Sequence, residues 1–118
     1  MLSKMQIFQV YGAMAQHAAE TQRVSAENIA RAGEPGYRAK EVESFSDYMD
    51  RTKTDPTVAG KPASFSISEA QTPIGPNGNS VSIEHEIFKS VGAGGQHNMA
   101  LSVYAKSMQL MKMAIGRT

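Results

Sequence analysis

The chain has 118 residues and contains neither cysteine nor tryptophan. The absence of cysteine excludes disulfide bonds and thiol chemistry. Only 7% of the residues are aromatic and 41% are hydrophobic, so we do not expect a large globular core. No stretch approaches the ~20 apolar residues that a membrane-spanning helix needs. The formal net charge of +1 at pH 7 does not indicate nucleic acid or an anionic membrane as the main partner.

The first residues lead directly into a mixed polar segment. They show neither the apolar region nor the small-residue cleavage site of a secretory signal peptide. We therefore expect a chain that stays in the cytoplasm or leaves it by a route that reads no cleaved signal. A chain without cysteine suits such a crossing, because it stays unlinked in an oxidising space.

No pattern typical of a catalytic or metal site is present. The histidines are far apart in the sequence: His17, His85 and His97. The pair His85-Glu86 is not followed by a second histidine four residues later, and residues 92–95 lack the Lys-Ser/Thr that completes a phosphate loop. Glu84 and Glu86 are two residues apart, which places them on different faces of a helix. We therefore predict a protein that is not an enzyme and binds no cofactor or metal.

The N-terminal region, residues 1–32, predicts a helix from residue 4 onwards. Ser3 and Gln6 match a capping box at its start. A narrow apolar seam follows the alternating spacing of four and three residues that is typical of paired helices. We expect this seam to be part of an assembly interface, and it consists of Ile7, Tyr11, Met14 and Ala18.

A turn motif follows the first helix. Gly33 is expected to end the helix in the left-handed conformation. Pro35-Gly36 suits the central positions of a type II turn, after which Tyr37 is expected to fold back onto the helix. Asn28 is either a solvated polar residue or a carboxamide that bonds to the turn backbone and fixes the direction in which the chain leaves. The complete motif is Asn28, Ile29, Gly33, Pro35, Gly36 and Tyr37.

The middle region, residues 33–80, is rich in Gly, Pro, Ser and Thr from residue 52 onwards. Polar and apolar residues alternate over residues 64–68, which predicts a short exposed strand. Residues 76–79 carry a turn signal. Because long loops in compact domains are uncommon, we expect this segment to be mostly flexible in the free chain, with a short β-hairpin.

The C-terminal region, residues 81–118, predicts a second helix with Ser82 as its N-cap. Glycines in residues 92–95 each cost about 1 kcal/mol relative to alanine in a helix, so a break or hinge is expected there. The methionines near its end suit either a core or an adaptable interface. The apolar seam expected to contact other chains consists of Ile83, Ile87, Leu101, Tyr104, Met108, Met111 and Ile115. Overall we predict a mainly α fold, in which two terminal helices pair as a hairpin around a flexible middle.

Three patches of the sequence resemble the flagellar basal-body rod and hook proteins. The first spans residues 22–30, ending in Asn28-Ile29-Ala30, with Pro35-Gly36-Tyr37-Arg38 after it, and the second spans residues 77–86. The third, residues 97–115, is similar to the close of the proximal rod members. The chain departs from the family pattern at Arg31, Glu34, Ser82 and the glycines of residues 92–95.

The resemblance implies a structural, non-enzymatic subunit of the flagellar rod, which transmits torque across the periplasm. It implies export through the flagellar type III apparatus without a cleaved signal. The implied partners are other copies of the chain, sibling rod proteins and the adaptor between rod and membrane ring, with no nucleic acid. A cytoplasmic helical adaptor or chaperone-like binding module of a secretion system is the alternative, although it would not need the turn motif. A metal-dependent hydrolase using the histidines is a third interpretation, which metal retention after chelation would reveal.

Overall fold

The computed structural model describes residues 4–55, 57 and 61–116, so Ser3, the predicted N-cap of the first helix, lies outside the described residues. The elements follow the order α1 (Lys4–Ala30), β1 (Lys40–Val42), α2 (Phe45–Thr52), β2 (Ile67–Glu69) and α3 (Ile83–Gly116). The chain is mainly helical and its two long terminal helices pack together, as predicted. Within the described part, no helix is both long and apolar enough to span a membrane.

The pairing of α1 with α3 is antiparallel. The start of α1 lies beside the second half of α3, where the rings of Phe8 and Tyr104 are 5.0 Å apart. Further along α1, the Gln22 side-chain amide donates a hydrogen bond to the Ser90 carbonyl at 3.3 Å. The resulting hairpin gives the molecule its elongated form, with extents of 66 × 28 × 19 Å.

Small side chains fill the contact between the two long helices. The buried residues of α3 are Glu86, Ala93 and Ala100, and Ala15 and Ala18 are buried on α1. A Cβ atom on Gly12 would lie 3.7 Å from the Tyr104 ring, at ordinary van der Waals distance. Helices that meet through alanine and glycine can bring their axes close together. Small residues therefore form much of the buried surface of the hairpin, together with Val24 and the Phe8–Tyr104 ring pair.

The seam predicted on α3 only partly coincides with the face that packs on α1. Tyr104 and Met111 are half-buried, whereas the other predicted residues are exposed: Ile83, Ile87, Leu101, Met108 and Ile115. A second set of α3 residues with smaller side chains, which includes Ala93 and Ala100, has the same four-and-three spacing. The residues of this second set are the ones buried in the structure. On α1 the prediction agrees better, since Ala18 is fully buried and Ile7, Tyr11 and Met14 are half-buried.

Helix α3 begins as predicted, but the expected break near residues 92–95 is wrong. Ser82 precedes the helix, and its hydroxyl accepts a hydrogen bond from the His85 backbone at 3.4 Å. The helix then continues without interruption to Gly116. Packing against α1 offsets the poor helix propensity of the glycines. At Gly94 the missing side chain makes room for α1, because a Cβ atom there would lie 3.0 Å from the Gln22 amide nitrogen.

The middle region contains more regular structure than its sequence predicted. β1 and β2 pair antiparallel, with Val42 opposite Ile67, so the strand expected over residues 64–68 is displaced towards the C-terminus. Helix α2 was not predicted. It is capped by Ser44, whose hydroxyl accepts a hydrogen bond from the Asp47 backbone at 3.0 Å.

An aromatic cluster fastens α2 to α1. The ring centroid of Phe65 lies 5.0 Å from that of His17 on α1 and 4.7 Å from that of Tyr48 on α2. A ring nitrogen of His17 also forms a hydrogen bond of 2.6 Å with the Glu43 carbonyl. These rings come from three distant parts of the sequence, which explains why local patterns did not reveal α2. His17 therefore has a structural role as a contact between elements.

Candidate functional site

The turn after α1 and the turn before α3 meet in one hydrogen-bonded structure, which we call the motif junction. It consists of Asn28 with residues 34–40 and 75–81. The Gly36 N–H donates to the Asn77 carbonyl at 3.0 Å, and the Ser80 N–H donates to the Tyr37 carbonyl at 3.0 Å. The two turns are so close that a Cβ atom on Gly78 would lie 3.2 Å from the Gly36 Cα. Two motifs that are distant in sequence are thus one site in space.

The Pro35-Gly36 turn has the predicted geometry. Gly36 has a φ of +79°, and the Tyr37 N–H donates to the Glu34 carbonyl at 3.3 Å, which closes the turn. A left-handed φ of this kind favours glycine because it has no Cβ. Ile29 is half-buried and Pro35 is exposed, so neither contributes a polar contact to the junction.

Gly33 does not end α1 in the left-handed conformation, so this prediction is wrong. Within the described part of the chain, positive φ values occur only at Gly36 and Gly78. The helix instead tightens into a short turn, in which the Ala32 N–H donates to the Ile29 carbonyl at 3.1 Å. Helix ends often close in this way when their free carbonyls find other partners.

Asn79 supplies those partners. It is 7% exposed, and its side-chain amide donates to the Arg31 carbonyl at 3.0 Å and to the Glu34 carbonyl at 2.7 Å. Its side-chain oxygen accepts from the Val81 N–H at 2.8 Å, just before α3. One carboxamide therefore joins the end of α1 to the entry of α3. The sequence marked Asn79 only as part of a turn signal, because nothing local indicates which carbonyls it reaches.

Asn28 makes corresponding hydrogen bonds from the end of α1. It is completely buried, and its amide donates to the Lys40 carbonyl at 2.9 Å. Its oxygen accepts from the Lys40 N–H at 3.0 Å and from the Tyr37 hydroxyl at 2.9 Å. The carboxamide thus satisfies both backbone groups of one residue, as a neighbouring strand would. This geometry agrees with the interpretation of Asn28 as a bond to the turn backbone rather than a solvated residue.

Tyr37 folds back onto α1 and closes the junction from outside. The residue is 8% exposed, and burial raises the pKa of its hydroxyl, which keeps the hydroxyl a hydrogen-bond donor to Asn28. The Arg31 guanidinium lies 5.4 Å from the centre of the Tyr37 ring, a cation–π contact. Arg31, one of the departures from the family pattern, therefore packs onto the anchor of the motif.

Ser80 extends the junction to the sheet. Its hydroxyl accepts from the Ala39 N–H at 2.7 Å, and its carbonyl accepts from the Thr72 hydroxyl at 2.6 Å. The Ala39 carbonyl in turn accepts from the Ala70 N–H at 2.8 Å. Ala39 is completely buried, so each of these backbone groups has a partner in a site closed to water. The junction consequently holds α1, the sheet and the entry to α3 in one arrangement.

The outer side of α3 is a second candidate surface, and it is apolar and exposed where the motif junction is polar and buried. Large apolar residues along the whole helix are exposed, with Phe88 at 81% and Val91 at 72%. Exposed apolar area on a helix makes that helix a candidate interaction surface. Five residues of the predicted seam contribute to it: Ile83, Ile87, Leu101, Met108 and Ile115. Beside Leu101, a shallow groove of about 320 Å³ separates α3 from the small residues of α1.

Neither surface contains an arrangement that could hold a metal ion. Among residues 4–55, 57 and 61–116, no three His, Asp or Glu side chains converge. The three histidines stay apart, with His17 in the aromatic cluster and His97 beside the groove.

Comparison with known proteins found no matching family model and no significantly similar curated protein. The resemblance to the rod proteins therefore depends on the three sequence patches. The geometry of the residues in those patches is the further information that the structure provides.

Proposed function

We propose that this chain is a structural subunit of the bacterial flagellar basal-body rod, of the proximal rod type. It would assemble through its two terminal helices and transmit torque across the periplasm. It would be exported through the flagellar type III apparatus without a cleaved signal. The proposed partners are other copies of the chain, sibling rod proteins and the adaptor between rod and membrane ring.

The observation that carries this proposal is the motif junction. The first and second patches of the resemblance are far apart in the sequence, yet Asn28 and Tyr37 from one bond within the same site as Asn79 and Ser80 from the other. A junction between the ends of two helices suits a subunit whose helices must leave at a fixed angle to pack among neighbours. An unrelated helical adaptor has no evident need for it.

The outer side of α3 supports the same proposal. Exposed apolar side chains such as Phe88, Leu110 and Ile115 cost free energy while they face water, at roughly 25 cal/mol per Å². A helix with this composition gains stability when neighbouring helices cover it. Polymerisation through terminal helices would provide that cover.

The test uses a flagellated strain that lacks the corresponding gene and receives tagged variants in its place. We expect the unaltered chain to restore swimming and to co-purify with isolated basal bodies. Leu101→Asp and Met108→Asp place an uncompensated charge in the proposed contact, and we expect both to abolish swimming while the protein is still made. Thr54→Asp adds the same charge at an exposed polar position outside the two terminal helices and serves as the control.

Cell fractionation separates this proposal from the adaptor alternative. A rod subunit is recovered with basal bodies, whereas an adaptor or chaperone-like module stays in the cytoplasm of cells that have complete rods. Normal swimming with both Leu101→Asp and Met108→Asp would contradict the proposal, as would strictly cytoplasmic recovery.

A further inference from the structure

The acidic residues of the chain are confined to one stretch, which also holds seven of the 12 basic residues and is therefore net negative. All 11 acidic residues lie between Glu20 and Glu86, and every charged residue outside that stretch is basic. Residues 20–86 form one end of the hairpin, which we call the head: the second half of α1, the sheet, α2 and the entry to α3. The opposite end, the stem, consists of residues 6–16 of α1 and 97–116 of α3. An elongated molecule with an acidic head and a basic stem has complementary ends.

One side of the stem combines positive charge with exposed apolar area. Met99, Lys106 and Met113 are seven residues apart, so they share one face of α3, and Leu110 lies one turn beyond Lys106. Met99 is 52% exposed, Leu110 66% and Met113 49%. Lys106 is exposed and forms no ion pair within the described part of the chain. We call these four residues the outer stem face.

The head carries the opposite charge on α2. Asp47 and Asp50 are three residues apart and share one face of that short helix. Both are exposed, and neither forms an ion pair among the described residues. Ile67, which is 43% exposed, lies on β2 of the same head. The α2 face of the head is therefore complementary in charge to the outer stem face.

We infer that the outer stem face of one copy binds the α2 face of a second copy, head to tail. This inference rests on the proposed function in one respect, namely that copies of the chain assemble with one another. The two faces belong to different parts of the molecule, so each contact leaves a free head at one end and a free stem at the other. Contacts of this kind build open chains rather than closed dimers. The charges select the partner and its orientation, while the apolar residues contribute affinity.

Sedimentation velocity of the purified full-length chain over a range of concentrations tests the contact. We expect association at low salt that weakens as salt is raised, because salt screens charge pairs at a surface. Lys106→Glu or Asp50→Lys should weaken self-association by about tenfold or more. An equimolar mixture of these two variants should recover association, because the reversed stem of one then meets the reversed head of the other.

Lys61→Glu is the matched control. It changes the net charge by the same amount as Lys106→Glu but lies exposed in the head, so we expect it to leave association unchanged. Circular dichroism should show equal helix content in all variants, since all three positions are exposed. Equal weakening by Lys106→Glu and Lys61→Glu would overturn the inference, because net charge alone would then explain the effect. Failure of the mixed variants to associate would also overturn it.

Binding to vesicles that contain phosphatidylglycerol tests whether the stem binds an anionic membrane instead of a second copy of the chain. If Lys106→Glu abolishes vesicle binding and leaves self-association unchanged, the stem faces a membrane and the inference is wrong. Recovery of Lys106→Glu in basal bodies at the normal level would likewise overturn the inference but leave the proposed function standing. Salt-sensitive association of a chain that never enters basal bodies would support the inference and overturn the proposed function.

Discussion

The motif junction is a buried polar region, whereas the outer side of α3 is an exposed apolar surface. In the junction, Asn28 and Asn79 are buried polar residues, and their carboxamides find hydrogen-bond partners within the chain. On α3, Phe88 and Leu110 are apolar residues that stay exposed, and nothing in the described chain covers them. One region is complete within a single copy, and the other is not.

This difference separates what fixes the shape of the subunit from what it can bind. Buried hydrogen bonds are directional, so a fully satisfied junction permits one arrangement of helices and sheet. Apolar area is not directional and contributes stability wherever it is covered. Changes in the junction should therefore destabilise the free chain, whereas changes on α3 should mainly affect the proposed assembly.

The strongest way to break this comparison is to remove the Asn28 carboxamide. Asn28→Ala leaves the Lys40 backbone groups and the Tyr37 hydroxyl without their partner, and we expect a loss of about 2–4 kcal/mol in the free energy of unfolding. Denaturant titration of the isolated chain measures it. Asn98→Ala, at an exposed position of α3, is the control and should change stability by less than about 0.5 kcal/mol. Equal effects at the two asparagines would show that the junction is not the source of stability.

A smaller effect is expected at the glycine of the turn. Gly36 has a φ of +79°, so Gly36→Val forces a β-branched residue into a disfavoured conformation at a cost of about 1–3 kcal/mol. Pro35→Ala only loosens a preset φ and should cost less than about 1 kcal/mol. Gly33→Val is a matched glycine control, because Gly33 has no positive φ and open space around its Cα. Similar stability of Gly36→Val and Gly33→Val in denaturant titration would refute the turn geometry.

The glycines of α3 test the same comparison on the second helix, where substitution by alanine is expected to stabilise the free chain. A Cβ atom on Gly95 would meet nothing within 4 Å, so Gly95→Ala should stabilise the free chain by up to about 1 kcal/mol. Gly94→Ala should gain less, because its Cβ would lie 3.0 Å from the Gln22 amide. Thermal denaturation of both variants provides the measurement. An equal gain at Gly94 would mean that Gln22 does not pack there as described.

The smallest expected effect is the pH dependence of the head. The Arg51 hydrogen bonds hold the pKa of the Glu43 carboxyl below its ordinary value. Because the folded pKa is the lower one, the pair stabilises the fold fully above the ordinary glutamate pKa of about 4.3, and this contribution is lost as pH falls through the folded pKa. Glu43→Gln should therefore lower the melting temperature at neutral pH and have less effect near pH 3. A difference independent of pH would contradict this origin.

Local sequence was sufficient for some features of the junction and not for others. Pro35-Gly36 predicts its turn because proline presets one φ and glycine permits the next. Asn79 cannot be assigned in this way, because the carbonyls that it caps belong to Arg31 and Glu34 in the turn that follows α1, more than 40 residues earlier in the sequence. The same carboxamide explains why the expected left-handed ending at Gly33 is absent.

The sequence by itself determined that the chain is mainly helical, with long terminal helices and a glycine turn between α1 and the sheet, because periodicity and turn chemistry act over neighbouring residues. Only the tertiary structure decided which face of α3 meets α1, that α3 continues through residues 92–95, and that α2 forms. Each of these depends on segments that are distant in the sequence: the burial of Ala93 and Ala100 between the helices, the position of Gln22 beside Gly94, and the ring contact of His17 with Phe65. A hydrophobic pattern gives the spacing of a contact but not its partner, and close backbone approach favoured the small residues over the larger ones that the pattern marked.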